Sequence, residues 1–158
     1  MVAPNPLFLR DADLDRSLDL LLIVEREMAG RTAAALDRHG LTAVDFRSLY
    51  LIGRRPGLTL AELARLSGIS KQALSRQLQR LVEGGSLTRE AVPGDRRKQR
   101  LRLTEAAAAS VEEVVSLQRR MLRDAFKRAG AEAVEGFGRV LAALADETGR
   151  RQAQRDAA

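Results

Sequence analysis

The chain of 158 residues contains no cysteine and no tryptophan, a single histidine (His39), four phenylalanines and one tyrosine. Each scarcity removes a class of function. Without cysteine there is no disulfide framework, thiol nucleophile, Cys-ligated zinc or thiol redox sensor. One histidine excludes a multi-His metal site within a subunit, so the sequence predicts no metal and no cofactor. No G-x-G-x-x-G, no G-x-x-x-x-G-K-[ST] and no nucleophile partnered by histidine is present, which argues against an enzyme. RNA binding through stacking platforms is disfavoured, because aromatics are 3% of the chain and none lies in its basic segment. No apolar run approaches the ~18 residues of a membrane span. The opening MVAPNPLFLRDADLD has no charged n-region followed by an apolar h-region. The expectation is a cytoplasmic protein with no membrane partner.

Positive charge is present in excess, and it is concentrated. The net charge is +6, with 24 arginines against three lysines. From Arg54 to Leu103 there are twelve Lys/Arg and four Asp/Glu, a net charge of +8, while the other residues carry fifteen against seventeen, or −2. A basic run is often only a solvated face, but one segment holding the whole excess favours an acidic partner such as nucleic acid. The length fits a single domain spanning 1–158, which buries roughly two-thirds of its unfolded surface without staples.

Residues 11–39 read as one long helix, with Leu14, Leu18, Leu21, Leu22 and Met28 at three- and four-residue spacing and Gly40 suited to the C′ position. Within it Leu20-Leu21-Leu22-Ile23-Val24 is apolar all round, and a helix wet on one side has no use for such a turn. Either a second subunit or a deep intramolecular core would cover it. His39, just before Gly40, is placed to stabilise that helix C-terminus. Thr42 and Asp45 are spaced like a capping box for a helix to Gly53, with Phe46, Leu49 and Tyr50 inward. Arg54-Arg55-Pro56-Gly57 breaks it. Thr59 and Glu62 form a second box, opening a short helix whose Ala61, Leu63 and Leu66 are expected to pack on the next. Ser67-Gly68-Ile69 is a three-residue turn. Ser70 caps a helix to about Glu83, with Leu74, Leu78, Leu81 and Val82 inward.

Past Gly84-Gly85 the period changes to two. Leu87–Ala91 and Gln99–Leu103 read as paired strands, and Val92-Pro93-Gly94-Asp95 places Pro and Gly where a type II turn wants them. Thr104 caps a long helix to about Arg128 that carries Val111, Val114, Val115, Met121, Leu122 and Phe126. Ala129-Gly130 interrupts it. A last helix with Val134, Phe137, Leu141 and Leu144 on one face is expected to fray from about Arg150. The fold class is therefore mainly α with a small β-hairpin.

Helix, short turn with glycine, helix and basic hairpin together make a helix-turn-helix followed by a wing. Lys71, Gln72, Ser75, Arg76 and Gln79 form the polar face at the start of the second helix, with types that donate to phosphates or read base edges: Gln suits adenine and Arg guanine. The hairpin tip adds Arg96, Arg97 and Lys98, which suit an adjacent minor groove or its phosphates.

The stretch LTLAELARLSGISKQALSRQLQRLVEGGSLTREAVPGDRRKQRLRLTEAA, residues 58–107, resembles the MarR (multiple-antibiotic-resistance regulator) type of winged-helix regulators. The pattern shared is a supporting helix, a recognition helix ending L-V-E-x-G, a D-x-R wing signature at Asp95-Arg96-Arg97, and L-T-E-A at Leu103 to Ala106. The resemblance implies that Ser70, Lys71, Gln72, Ser75, Arg76 and Gln79 face DNA. It implies that Arg97 enters the minor groove, held by a salt bridge from Asp95, and that Arg96 contacts phosphate. It also implies a homodimer joined by the terminal helices (11–41 and 105–150) around a DNA-binding lobe (42–104), with a small-molecule effector that releases DNA in many members. The family usually has an apolar residue after Gly85; Ser86 here implies some loss of packing under the wing. The expected function is a sequence-specific repressor acting on double-stranded DNA at a pseudo-palindromic operator. The alternative is a ligand-independent architectural or antitoxin-like DNA-binding module, which would share the winged helix.

Overall fold

The computed structural model describes the backbone of residues 10–92 and 95–156 and the side chains of residues 10–90 and 100–146. Six helices and one hairpin follow in chain order: α1 (Asp11–Arg38), α2 (Ala43–Arg54), α3 (Leu60–Ser67), α4 (Lys71–Glu83), β1 (Leu87–Val92), β2 (Asp95–Leu103), α5 (Glu105–Ala129) and α6 (Ala131–Asp156).

The helix starts are set by side-chain caps. Thr42 and Thr59 each accept from the backbone N–H three residues on, while Asp45 and Glu62 reciprocate to the cap backbone. Ser70 and Thr104 accept from the N–H groups of Ala73 and Ala107, both at 3.2 Å. Caps of this kind are worth about 1 kcal/mol each. α1 ends on Gly40, whose φ of 61° lets the chain turn back so that the Leu41 N–H reaches the Leu36 carbonyl at 3.0 Å.

Leu49, Leu63, Leu74 and Leu87 are fully buried and come from α2, α3, α4 and β1. The hairpin, α3 and α4 thus share one core with α2, and Val111 and Val115 of α5 close it. Each such leucine contributes roughly 1.5–3 kcal/mol of transfer free energy. A smaller cluster of Ala35, Leu36 and Val114 joins the end of α1 to α5. His39 reinforces this joint: its Nε2 lies 2.7 Å from Glu113 Oε2 and its Nδ1 3.1 Å from the Ser110 hydroxyl, and Arg38 pairs with the same carboxylate. Hydrogen bonds from His39 and Arg38 hold the Glu113 carboxyl below the usual range.

Three expectations are corrected, and one open alternative is decided. On α3 the buried stripe is Leu63, Ala64 and Ser67, whereas Ala61 is exposed and Leu66 half-buried; the face that meets α2 and α4 runs through i, i+1 and i+4, and Ala61 lies off it. The strands run further than Leu87–Ala91 and Gln99–Leu103, because pairing is regular from Leu87↔Leu103 to Ala91↔Gln99 and then shifts register before Val92↔Asp95. α6 continues to Asp156 instead of fraying near Arg150. Among the described residues none covers the turn Leu20–Val24: Leu20 is 56% exposed, Leu22 65% and Val24 44%, so the alternative of a deep intramolecular core is not met. The type II turn expected at Val92-Pro93-Gly94-Asp95 includes Pro93 and Gly94, which lie outside the described residues. At Ser86, the residue after Gly85, the side chain is half-buried and its backbone is bonded to Leu81 and Thr104, while the neighbouring Leu87 fills the core.

Candidate nucleic-acid interface

The turn between α3 and α4 positions the site. Gly68 takes a left-handed φ of 71°, and the Ile69 N–H closes back on the Ala64 carbonyl at 3.2 Å. Ser70 then caps α4, whose first turn contains no acidic residue. That leaves the positive end of the helix dipole beside Lys71, an arrangement suited to phosphate.

Burial divides α4 cleanly. Leu74, Gln77, Leu78 and Leu81 face the core, while Ser70, Lys71, Gln72, Ser75, Arg76 and Gln79 are all exposed. The six side chains expected on the DNA-facing surface therefore share one continuous face. Gln79 is already partnered: its amide nitrogen donates to Glu83 at 2.7 Å, and its oxygen accepts from Arg89 of β1 at 2.9 Å. This ties the hairpin base to α4. For the tip, the backbone places Asp95, Arg96, Arg97 and Lys98 on β2. Their side chains, and with them the Asp95–Arg97 salt bridge, lie outside the described residues.

Two features were missed by sequence reasoning: a cavity, and the long-range partners of a residue read only as a helix cap. Between α3, α4 and the hairpin lies a cavity of about 320 Å³, with Leu63, Leu78 and Leu101 in its wall and Arg55, Arg89 and Arg100 around it. Among the described residues, no carboxylate forms an ion pair with any of these three arginines. The period-two pattern at Arg100-Leu101 was a signal for it, but which face of the hairpin meets α4 is a tertiary fact. The second feature is Asp45, buried between α2 and α4. Burial alone would raise its carboxyl, yet hydrogen bonds from Gln77, Thr42 and Arg80 hold it below the usual range.

Comparison with known proteins gives the same picture. The model of the MarR family matches residues 39–98. The HTH-type transcriptional regulator PetP of Rhodobacter capsulatus is 34% identical over 148 residues, covering 94% of this chain and 89% of that protein. The HTH-type transcriptional repressor Rv2887 of Mycobacterium tuberculosis is 29% identical over 128 residues, 81% of this chain and 92% of that protein. The crystal structure of Rv2887 with p-aminosalicylic acid is 28% identical in sequence and superposes with a TM-score of 0.56, over 79% of this chain and 95% of that one. A MarR family protein from Bacillus stearothermophilus, 22% identical, shares the fold with a TM-score of 0.68 over 88% of this chain and 97% of that one. With a recognition helix, a wing and a relative this similar along nearly its whole length, the chain belongs to the MarR family and is a DNA-binding transcriptional regulator.

Proposed function

We propose that the chain is a homodimeric repressor that acts by binding alone, without catalysis. Two α4 helices enter successive major grooves about one helical turn apart, so the operator is pseudo-palindromic. Ser70, Lys71, Gln72, Ser75, Arg76 and Gln79 contact the major groove and its phosphates. Arg97, braced by Asp95, enters the minor groove, with Arg96 and Lys98 on phosphates. The lobe 42–104 reads DNA, and the helices before and after it join the subunits. The observation that carries this reading is the exposed polar and basic face of α4, joined to the hairpin by the Arg89–Gln79 hydrogen bond, in a chain whose α1 and α6 carry exposed leucines that no described residue covers. Names of relatives support repression, since Rv2887 is called a repressor.

A small effector fits the same architecture. Related structures hold p-aminosalicylic acid, salicylic acid and 4-hydroxyphenylacetate, each an aromatic carboxylate. The cavity edged by Arg55, Arg89 and Arg100 offers apolar walls for such a ring and guanidinium groups for its carboxylate. It touches both α4 and the hairpin, so occupation would bias their relative placement and lower affinity for DNA.

A gel-shift titration against DNA upstream of the chain's own gene, with excess unrelated duplex and varied salt, tests the reading. Binding that survives the competitor and falls steeply with salt supports a site-specific regulator. Binding abolished by the competitor favours an architectural module, and absence of binding at low salt removes the nucleic-acid reading. Salicylate added to the same complex is expected to release DNA, and Arg89→Ala to blunt that release.

A further inference from the structure

Interiors exclude charge unless its hydrogen-bonding capacity is met. Asp45 is a charged residue with 0% exposure, and its two oxygens serve different helices. Oδ2 accepts from the Thr42 backbone N–H at 3.0 Å and the Thr42 hydroxyl at 2.7 Å, which completes the cap of α2. Oδ1 accepts from the Gln77 amide at 2.9 Å and the Arg80 guanidinium at 2.5 Å, 32 and 35 residues away on α4. Of these four bonds a capping box requires only the one from the Thr42 backbone N–H, which the Asp45 N–H reciprocates to the Thr42 hydroxyl oxygen at 3.1 Å. The network extends to α3, because Gln77 accepts from the Ser48 hydroxyl at 3.1 Å and Ser48 lies 3.4 Å from the Ser67 hydroxyl. Among the described residues, no buried side-chain polar atom lacks a partner.

One carboxylate thus ties α2 and α4, and through Gln77 the end of α3. The leucines beneath α4 do not by themselves fix its rotation, because apolar burial is non-directional. Hydrogen bonds are directional, and donors at i and i+3 on one flank of α4 meet a single oxygen at only one roll of the helix. That roll decides which atoms of Gln72, Ser75, Arg76 and Gln79 point outward. Arg80 remains 57% exposed while it donates to Asp45, leaving further N–H groups facing solvent one turn beyond Arg76.

We infer that Asp45 is a positioning residue for DNA recognition: through Gln77 and Arg80 it sets the roll of α4 and presents the Arg80 guanidinium to a backbone phosphate beside the groove. The inference rests on the reading of α4 as the recognition helix. Its test uses a duplex that the wild-type protein enriches from a randomised library, together with a shuffled duplex of the same composition. Affinities for both are measured across a salt series for wild type, Asp45→Asn, Gln77→Met and Arg80→Ala, with a melting curve for each.

Asp45→Asn and Gln77→Met are expected to lower the enriched-to-shuffled affinity ratio by about tenfold, with the salt slope unchanged in Gln77→Met and reduced by up to about one in Asp45→Asn, which also releases Arg80. Arg80→Ala is expected to weaken binding to both duplexes and reduce the slope by about one, and Arg80→Lys to restore the slope. A purely structural role would lower the melting temperature and leave the ratio intact. An unchanged ratio in Asp45→Asn, or in Gln77→Met should the first variant fail to fold, overturns the inference and leaves the α4 reading standing. Failure of the wild-type protein to enrich any duplex overturns the α4 reading and the inference with it.

Discussion

In the lobe formed by α2, α3, α4 and the hairpin, Leu49, Leu63, Leu74 and Leu87 are fully buried, whereas Leu20 and Leu22 on α1 and Leu141 and Leu144 on α6 keep between 45% and 65% of their surface exposed. The same residue type is used in opposite ways. The lobe closes a core within one chain. The terminal helices carry apolar side chains that no described residue of the chain covers. Charge divides the chain too: residues 54–103 carry +8, while residues 11–19 contain four aspartates and one arginine. On the proposed reading the difference separates two tasks, self-contained folding beside DNA and assembly away from it.

Substitutions that break one region and spare the other test this division. The largest effect is expected for Leu74→Ala, which leaves a cavity in the lobe and costs about 2–5 kcal/mol of stability at any protein concentration; chemical denaturation measures it. Leu22→Glu, by contrast, is expected to leave the lobe folded and halve the mass in solution, weakening apparent operator affinity about 100-fold through lost bivalency. Light scattering and a gel shift on one preparation read both. Arg97→Ala is expected to weaken operator binding by about 10- to 100-fold with the dimer intact; unchanged affinity would remove the wing from the mechanism.

The smallest effect is on pH. The Asp45 carboxyl titrates below its ordinary value in the folded chain, so the stability it contributes is present above pH ~4 and lost as pH falls through the folded value. The denaturation midpoint should therefore drop on acidification below pH ~4, and the drop should be smaller in Asp45→Asn.

What was legible in the sequence was local. The boxes at Thr42/Asp45 and Thr59/Glu62 and the caps at Ser70 and Thr104 involve residues three apart, and all form as their spacing suggests. The exposed face of α4 followed from helical periodicity alone. The rest depended on partners far along the chain. Capping spacing identified Asp45 as an acceptor for Thr42, but nothing local revealed Gln77 and Arg80, 32 and 35 residues away, as its other donors. Ala61 and Ala64 are equally small and apolar, and only the position of α2 and α4 decides that Ala64 is the buried one. The apolar turn Leu20–Val24 announced a cover without saying which.

The most direct test of the account is the mass of the protein–DNA complex in solution, measured by sedimentation on a duplex containing one pseudo-palindromic site, with Leu22→Glu as the comparison. The account predicts two chains per duplex for the wild type and a complex of one chain, weakly bound, for the variant. A wild-type complex of one chain, or two chains in both proteins with equal affinity, would contradict the division of the molecule into a reading lobe and an assembling pair of helices.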